Sequence, residues 1–497
     1  MPNGLALPRA PRELRDRRPA QLPANVGAAA TSNGLSSSRE RARRRFVLTV
    51  FAVYLLVIFE GSLRKYVAPQ LGQYIFFIRD PFVIYALALA AANGLWPRNH
   101  AFLNLSLMMG AFGLLLFAVQ CVIFGLDATR LILGAYGWRA YFLYVPLAFL
   151  IGVNFSAEDL KRFGRLTLFL AIPIAVLVFV QFFSSPNAPI NVGVAEDKSL
   201  QFESVGVTVD RIRTTGPFTS TQGQAQFTTL AFVFVMAAVL TSRRTVSVPL
   251  LAASGAATLT CLALSNSRGT MLACGLVLLF AAGLALNGRG AALKAKALLI
   301  PGALLGIALL LYPIIFPEGY ESFTSRWSSA AAAESNLTGG VFGRAVLGLL
   351  IFTRILDDVP LLGFGLGYGG NASLILGAVV DGVKPGLLAE ADFSRQIVDL
   401  GPLFGVGYIA FRLVLLAWLA RHVLIATRFG ANALPMLLFA YAGNQILAGQ
   451  ITGHGSINGF AWIATGLCIA AARGSMPVGS LRVGTSRVAR QRNLAST

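Results

Sequence analysis

The sequence predicts an all-α polytopic membrane protein with about twelve transmembrane helices, and three observations predict it. Of its 497 residues 56% are hydrophobic and only 12% are charged, where soluble domains carry about 25% charged residues. The apolar excess recurs in stretches of ~17–24 residues, the length that crosses a bilayer as a helix. Lys and Arg are spread unevenly over the connections between those stretches, as a multi-span chain with a positive cytoplasmic side requires.

The spans fall near 46–63, 75–95, 101–124, 131–153, 164–183, 225–241, 246–264, 269–286, 297–316, 401–420, 432–450 and 457–472. The second is the least regular, because Arg79, Asp80 and Pro81 lie inside it. Spans one to nine thus occupy 46–316 and spans ten to twelve 401–472. The flanking segments 1–45 and 473–497 mix Pro, Ala, Ser, Gly and Arg without periodicity and read as disordered basic tails lying against anionic lipid. No small-residue cleavage site accompanies the first apolar run, so no removable signal peptide is expected. Two connections are long, 184–224 and 317–400. The second far exceeds ordinary loop lengths, which points to function. It contains RAVLGLLIF, too short to span and suited to a short helix on the membrane surface or re-entering it.

With the N-terminus in the cytoplasm, roughly 26 of the 41 Lys and Arg fall on cytoplasmic segments. Only five acids accompany them: Glu13, Asp16, Glu40, Glu158 and Asp159. The net charge of +20 is therefore a topology signal, with both termini inside and both long connections outside. Nucleic-acid binding is not expected, since the cations are dispersed and lack interleaved stacking aromatics. The cytoplasmic connections are too short for a nucleotide-binding domain, which disfavours an ATP-driven pump or an enzyme fed by cytosolic nucleotide sugars. Cys121, Cys261, Cys274 and Cys468 all lie in spans and His100, His422 and His454 are scattered, so neither a disulfide framework nor a metal site is expected.

The outward cations are nearly all arginines, whose planar fork suits phosphate oxygens. For Arg79, Arg139 and Arg412 the residues favour pairing with a nearby carboxylate, or snorkelling. Arg268 differs. In LSNSRGTM it opens span eight beside Ser265, Ser267, Gly269 and Thr270. Small residues and a helix start there suit an anion, and a structural salt bridge to a loop acid is the competing reading. At the end of the long connection, LLAEADFSRQIVDLGPLFG places Asp392, Arg395, Gln396 and Asp399 on one helical face. A salt-bridged anchoring stripe is the preferred reading for Asp399. Glu390, just before that face, has the chemistry of a general base.

SNSRGTML, then GFGLGYGGN, then EADFSRQIVDLGPLFG, resemble in order and spacing the O-antigen ligase and polymerase superfamily (Wzy-type). Its members commonly show an S-R-G helix start, a G-x-G-x-G loop and an H-N-x-x-L…(E)-x-G-x-x-G segment. RTTGPFTSTQGQAQF is similar to the R-x-x-G-x-F stretch before the matching span, so the resemblance covers roughly residues 205–415. FEGSLRKYVAPQL and FFIRDPF resemble a subgroup of exopolysaccharide polymerases.

The resemblance implies a GT-C-like fold in a bacterial inner membrane. It implies metal-independent, cofactor-free glycosyl transfer on the periplasmic face, from a glycan on undecaprenyl pyrophosphate to a second lipid-linked glycan or a lipid A core sugar. Arg268 would hold the pyrophosphate and stabilise the leaving group, assisted by Arg344 of GGVFGRAVLG. Arg211 or Arg213 would complete the cluster, with Arg326, Asp392 and Arg395 as further substrate contacts. A chain-length regulator and a flippase would be its protein partners. Where many relatives have the His of H-N, this chain has Glu390, with Asp392 as the alternate base; the change argues for a polymerase over a lipid A ligase. The rival from another class is a multi-span transporter or flippase of lipid-linked glycans. No convincing repeat relates the two halves, as many such carriers would show.

Overall fold

The computed structural model describes residues 26–97, 100–192, 212–241, 246–287, 291–317, 341–389, 391–430 and 432–476, with 320, 321, 324 and 328. Among the described residues there are helices and no strand. Among those residues seven helices are long and apolar enough to cross a membrane: Ser38–Val67, Ala101–Phe124, Ala128–Asn154, Ala157–Phe183, Thr221–Leu240, Asp392–Phe429 and Gly455–Gly474. The chain is a polytopic helical membrane protein.

A helix overlies each expected span. In chain order these are α1 (Val26–Ser62), α2 (Asp80–Ala92), α3 (Ala101–Phe124), α4 (Ala128–Trp138) with its continuation α5 (Tyr144–Asn154), and α6 (Ala157–Phe183). There follow α7 (Thr221–Leu240), α8 (Val248–Leu264), α9 (Arg268–Asn287) and α10 (Ala291–Ile315). After α11 (Val341–Leu350), the helix that RAVLGLLIF contributes to, come α12 (Asp392–Phe429), α13 (Leu434–Ala448) and α14 (Gly455–Gly474). The core joins α5, α13 and α14 to α1, α6 and α7. Close approach of α5 and α14 depends on Gly466, where a Cβ would strike the Ala148 carbonyl and Ile151.

Four boundaries differ from the sequence expectation. Helix α1 begins at Val26, inside the segment expected to be disordered. Alanine and arginine are strong helix formers, and Glu40 pairs with Arg43 and Arg44 one turn on. Arg79–Asp80–Pro81 starts α2 instead of interrupting it: proline at the first turn forfeits no hydrogen bond. The fourth span is broken by a π-helical turn at Arg139–Leu143. The tenth starts early, at Asp392, and is interrupted at Gly401, whose φ of 80° only glycine adopts readily. Residues 477–497 of the second expected tail lie outside the described residues.

Helix ends collect in two sets. At one end Arg43 donates to Asp159 (2.6 Å) and to the Asn154 carbonyl (3.1 Å). Asn154 donates to the Leu95 carbonyl, and Arg473 to those of Val153 and Phe155. This end carries the start of α1, the α5–α6 junction and the end of α14, and is called the basic end below. At the opposite end Lys65 donates to Thr215 Oγ1 (2.6 Å), and Arg139 pairs with Asp80 (2.5 Å). Arg79 lies 3.6 Å from Glu60. Arg79, Arg139 and Arg412 therefore have carboxylate partners, as the residues themselves favour.

Candidate functional site

At LSNSRGTM the chain reverses between α8 and α9. Ser265 Oγ accepts from the Ser267 N–H (3.3 Å), and Ser267 Oγ accepts from the Thr270 N–H (3.3 Å), capping the start of α9. Between them Asn266 sits at φ 47°, a left-handed conformation that few residues other than glycine and asparagine tolerate. This turn delivers Arg268 to the first position of α9. Arg213 is brought to the same place by RTTGPF. Its neighbour Thr214 lies 2.8 Å from Gln224 Oε1 and 3.3 Å from the Leu264 carbonyl, and Gly216 donates to Gln181 (2.8 Å).

The two arginines share one cavity of about 550 Å³ at the end opposite the basic one, walled by α7, α9, α13 and the segment that follows α13. Six carboxamides line it: Gln222, Gln226, Asn266, Asn444, Gln445 and Gln450. Ser267, Thr229 and Thr270 add hydroxyls, and among the described residues no carboxylate, imidazole or thiol lines it. Gln226 Oε1 is fixed by the Tyr441 hydroxyl (2.8 Å). Both amide atoms of Asn266, the Thr270 hydroxyl and Gln445 Oε1 are buried without a hydrogen-bond partner among the described residues. Such groups are rare in folded proteins and call for an explanation.

Asp392 and Arg395 are not on this cavity. Both are buried behind it. Asp392 accepts from Arg412 (2.5 Å), Arg395 (3.2 Å), Gln396 (3.3 Å), and the Thr452 N–H and hydroxyl (3.1 and 2.8 Å). Arg412 then donates to the carbonyls of Gln445, Ile446 and Gly449, holding the end of α13 that forms the cavity wall. A buried carboxylate that accepts five hydrogen bonds, two of them from guanidiniums, is placed as a support for the cavity wall. His454 lies near this network; burial, and Arg395 beside it, hold its imidazole down at about 4, so it is neutral at pH 7.

The glycine loop has an internal task. In GFGLGYGGN, Gly363, Gly365 and Gly367 all have positive φ. Gly367 packs so closely on α4 that a Cβ would strike the Leu133 carbonyl. Gly369 donates to Asp399 (2.6 Å), and its carbonyl accepts from Arg395 (2.8 Å). Asp399 also accepts from the Tyr141 hydroxyl (2.9 Å), so it anchors the loop, as its helical face suggested. Arg130 donates to the Phe364 carbonyl and lies over Tyr368.

Of the residues expected from the sequence, Arg213 and Arg268 therefore converge. Arg344 lies on α11, with its side chain outside the described part. Glu390, Arg211 and Arg326 lie outside the described residues. The carboxamides were not singled out by sequence reasoning. Their signal was present as polar amides inside otherwise apolar runs, in TQGQAQF and AGNQILAGQ.

No protein-family model matches the chain, and no curated protein matches it significantly.

Proposed function

We propose that the chain is a membrane glycosyltransferase of the O-antigen ligase and polymerase superfamily, most similar to exopolysaccharide polymerases. It elongates undecaprenyl-pyrophosphate-linked glycans at the periplasmic face of a bacterial inner membrane. The observation that carries this reading is the convergence of Arg213 and Arg268 on one polar cavity opposite the basic end. Guanidiniums held there bind pyrophosphate oxygens bidentately. The N-terminus of α9 adds favourable dipole and N–H groups. In this reading the chain crosses the membrane twelve times with both termini cytoplasmic, and 317–400 lies outside.

In the reaction, a hydroxyl of the acceptor glycan attacks the anomeric carbon of the donor. The bond from that carbon to the phosphate oxygen breaks, and undecaprenyl pyrophosphate departs. Arg268 and Arg213 stabilise the charge that develops on the leaving phosphate, which is the term that contributes most when donors are preorganised away from water. Arg344, Arg211 and Arg326 complete the anion contacts, as the resemblance implies. Glu390 takes the hydroxyl proton. The second lipid-linked glycan is the acceptor, and a flippase supplies both. Reconstitution in proteoliposomes with a lipid-linked repeat unit tests this reading. Chain growth without any ion gradient is expected; movement of the glycan across the bilayer without chain growth would instead identify a transporter.

A further inference from the structure

A pyrophosphate on Arg213 and Arg268 leaves the carboxamides of the same cavity without a task. We infer that this wall, centred on Asn266 and Gln445, reads the hydroxyls of the sugar joined to the pyrophosphate, so that the cavity selects a glycosyl pyrophosphate over a bare one. The inference rests on the glycosyl-transfer reading above.

A fully ionised pyrophosphate offers acceptors only, and an isoprenoid tail offers neither. Yet Asn266 Oδ1 and Gln445 Oε1 are buried acceptors with no donor among the described residues. Neither phosphate nor lipid can satisfy them. A sugar hydroxyl donates and accepts at once, as does an acetamido group, and so matches a carboxamide on both sides. Among the described lining residues the side chains other than the two arginines are uncharged, which suits the hydroxyls of a sugar.

Asn266 carries a second mark. It is 3% exposed, stands at φ 47°, and leaves both amide atoms unpaired. Glycine fits the same left-handed turn and carries no amide to leave unmet. A side chain that costs the fold buried polar groups the turn does not need, next to a binding arginine, is of the kind kept for a ligand. Gln226 supports it: with Oε1 occupied by Tyr441, its amino group is left to donate.

Binding to the full-length protein in detergent tests the inference, using farnesyl pyrophosphate and its glucosyl and N-acetylglucosaminyl esters as probes. Wild type is expected to prefer at least one glycosylated probe by about tenfold, the order of what one net hydrogen bond to a buried amide contributes. Asn266→Gly should lose that preference while its thermal midpoint stays equal or rises. Gln445→Leu should reduce it. Both should bind bare farnesyl pyrophosphate within about twofold of wild type, and Arg268→Ala should weaken all probes alike. The inference is overturned if both folded amide variants keep the preference, if they weaken bare and glycosylated probes equally, or if wild type shows no preference. Binding of no probe by wild type, or indifference to Arg268→Ala, would remove the functional reading as well.

Discussion

Two cavities of about 550 Å³ among the described residues, one at each end, are built in opposite ways. At the basic end, Leu160, Leu168, Phe234, Val246 and Leu434 make an apolar chamber, and its cations, Lys161 and Arg165, are exposed at the mouth. Lys161 is 3.5 Å from Glu158, and both are half-exposed. At the other end the guanidiniums sit in the wall among amides and hydroxyls, and the amide atoms of Asn266, the Thr270 hydroxyl and Gln445 Oε1 there are buried without a partner among the described residues. Positive charge is common to both cavities. What separates them is unmet hydrogen bonding, which has no role in an apolar chamber and a clear one in a site awaiting a polar ligand.

The largest effect that sharpens this contrast concerns the support behind the polar cavity. Asp392→Ala strands Arg412 and Arg395 in the interior and should destabilise the protein by about 3–5 kcal/mol. The matching change at the basic end, Glu158→Ala, breaks only half-exposed pairs and should cost about 0–1 kcal/mol. Denaturation in detergent compares the two; equal losses would break the contrast. Next is chemistry. Arg268→Ala should lower chain elongation in proteoliposomes by about 10²–10³-fold, as loss of one preorganised charge-stabilising donor does.

A smaller effect is expected from pH. The neutral form of His454 is favoured in the fold, with the imidazole held at about 4, whereas an unfolded histidine titrates near 6.5. Between those values the unfolded chain binds more protons, so stability is full above about 6.5 and falls as the pH drops toward 4. The loss across that range should be about 3 kcal/mol, and His454→Gln should remove it from the pH profile of the thermal midpoint. Smallest of all, Lys161→Ala with Arg165→Ala should leave elongation within about twofold, since exposed cations at the opposite end of the molecule contribute to surface attraction alone.

The helices were legible because apolar runs of membrane length have one common solution; α3, Ala101–Phe124, coincides with its expected span. Boundaries failed where local chemistry outweighed hydropathy: in the alanine- and arginine-rich start of α1, and where Pro81 opens a helix. Arg268 was legible because an arginine beside two apolar helices is costly without a reason. Periodicity placed Asp392 and Arg395 on one face, but it cannot say whether that face meets a cavity or another arginine. Arg412, seventeen residues beyond Arg395, decided it. The carboxamides were illegible as a set, because four separate segments supply them and only the packing of α7, α9 and α13 brings them together.

The central claim, that the polar cavity holds a lipid-linked pyrophosphate, is tested most directly by photocrosslinking. An undecaprenyl pyrophosphoryl glycan with a diazirine on its first sugar would be reacted with the full-length protein in nanodiscs, and the labelled peptides sequenced. The account predicts label on the first turns of α7 and α9 and around Gln445, lost in Arg268→Ala. Label confined to Ala157–Leu168 and the α13–α14 ends at the basic cavity, and unchanged in that variant, would contradict it.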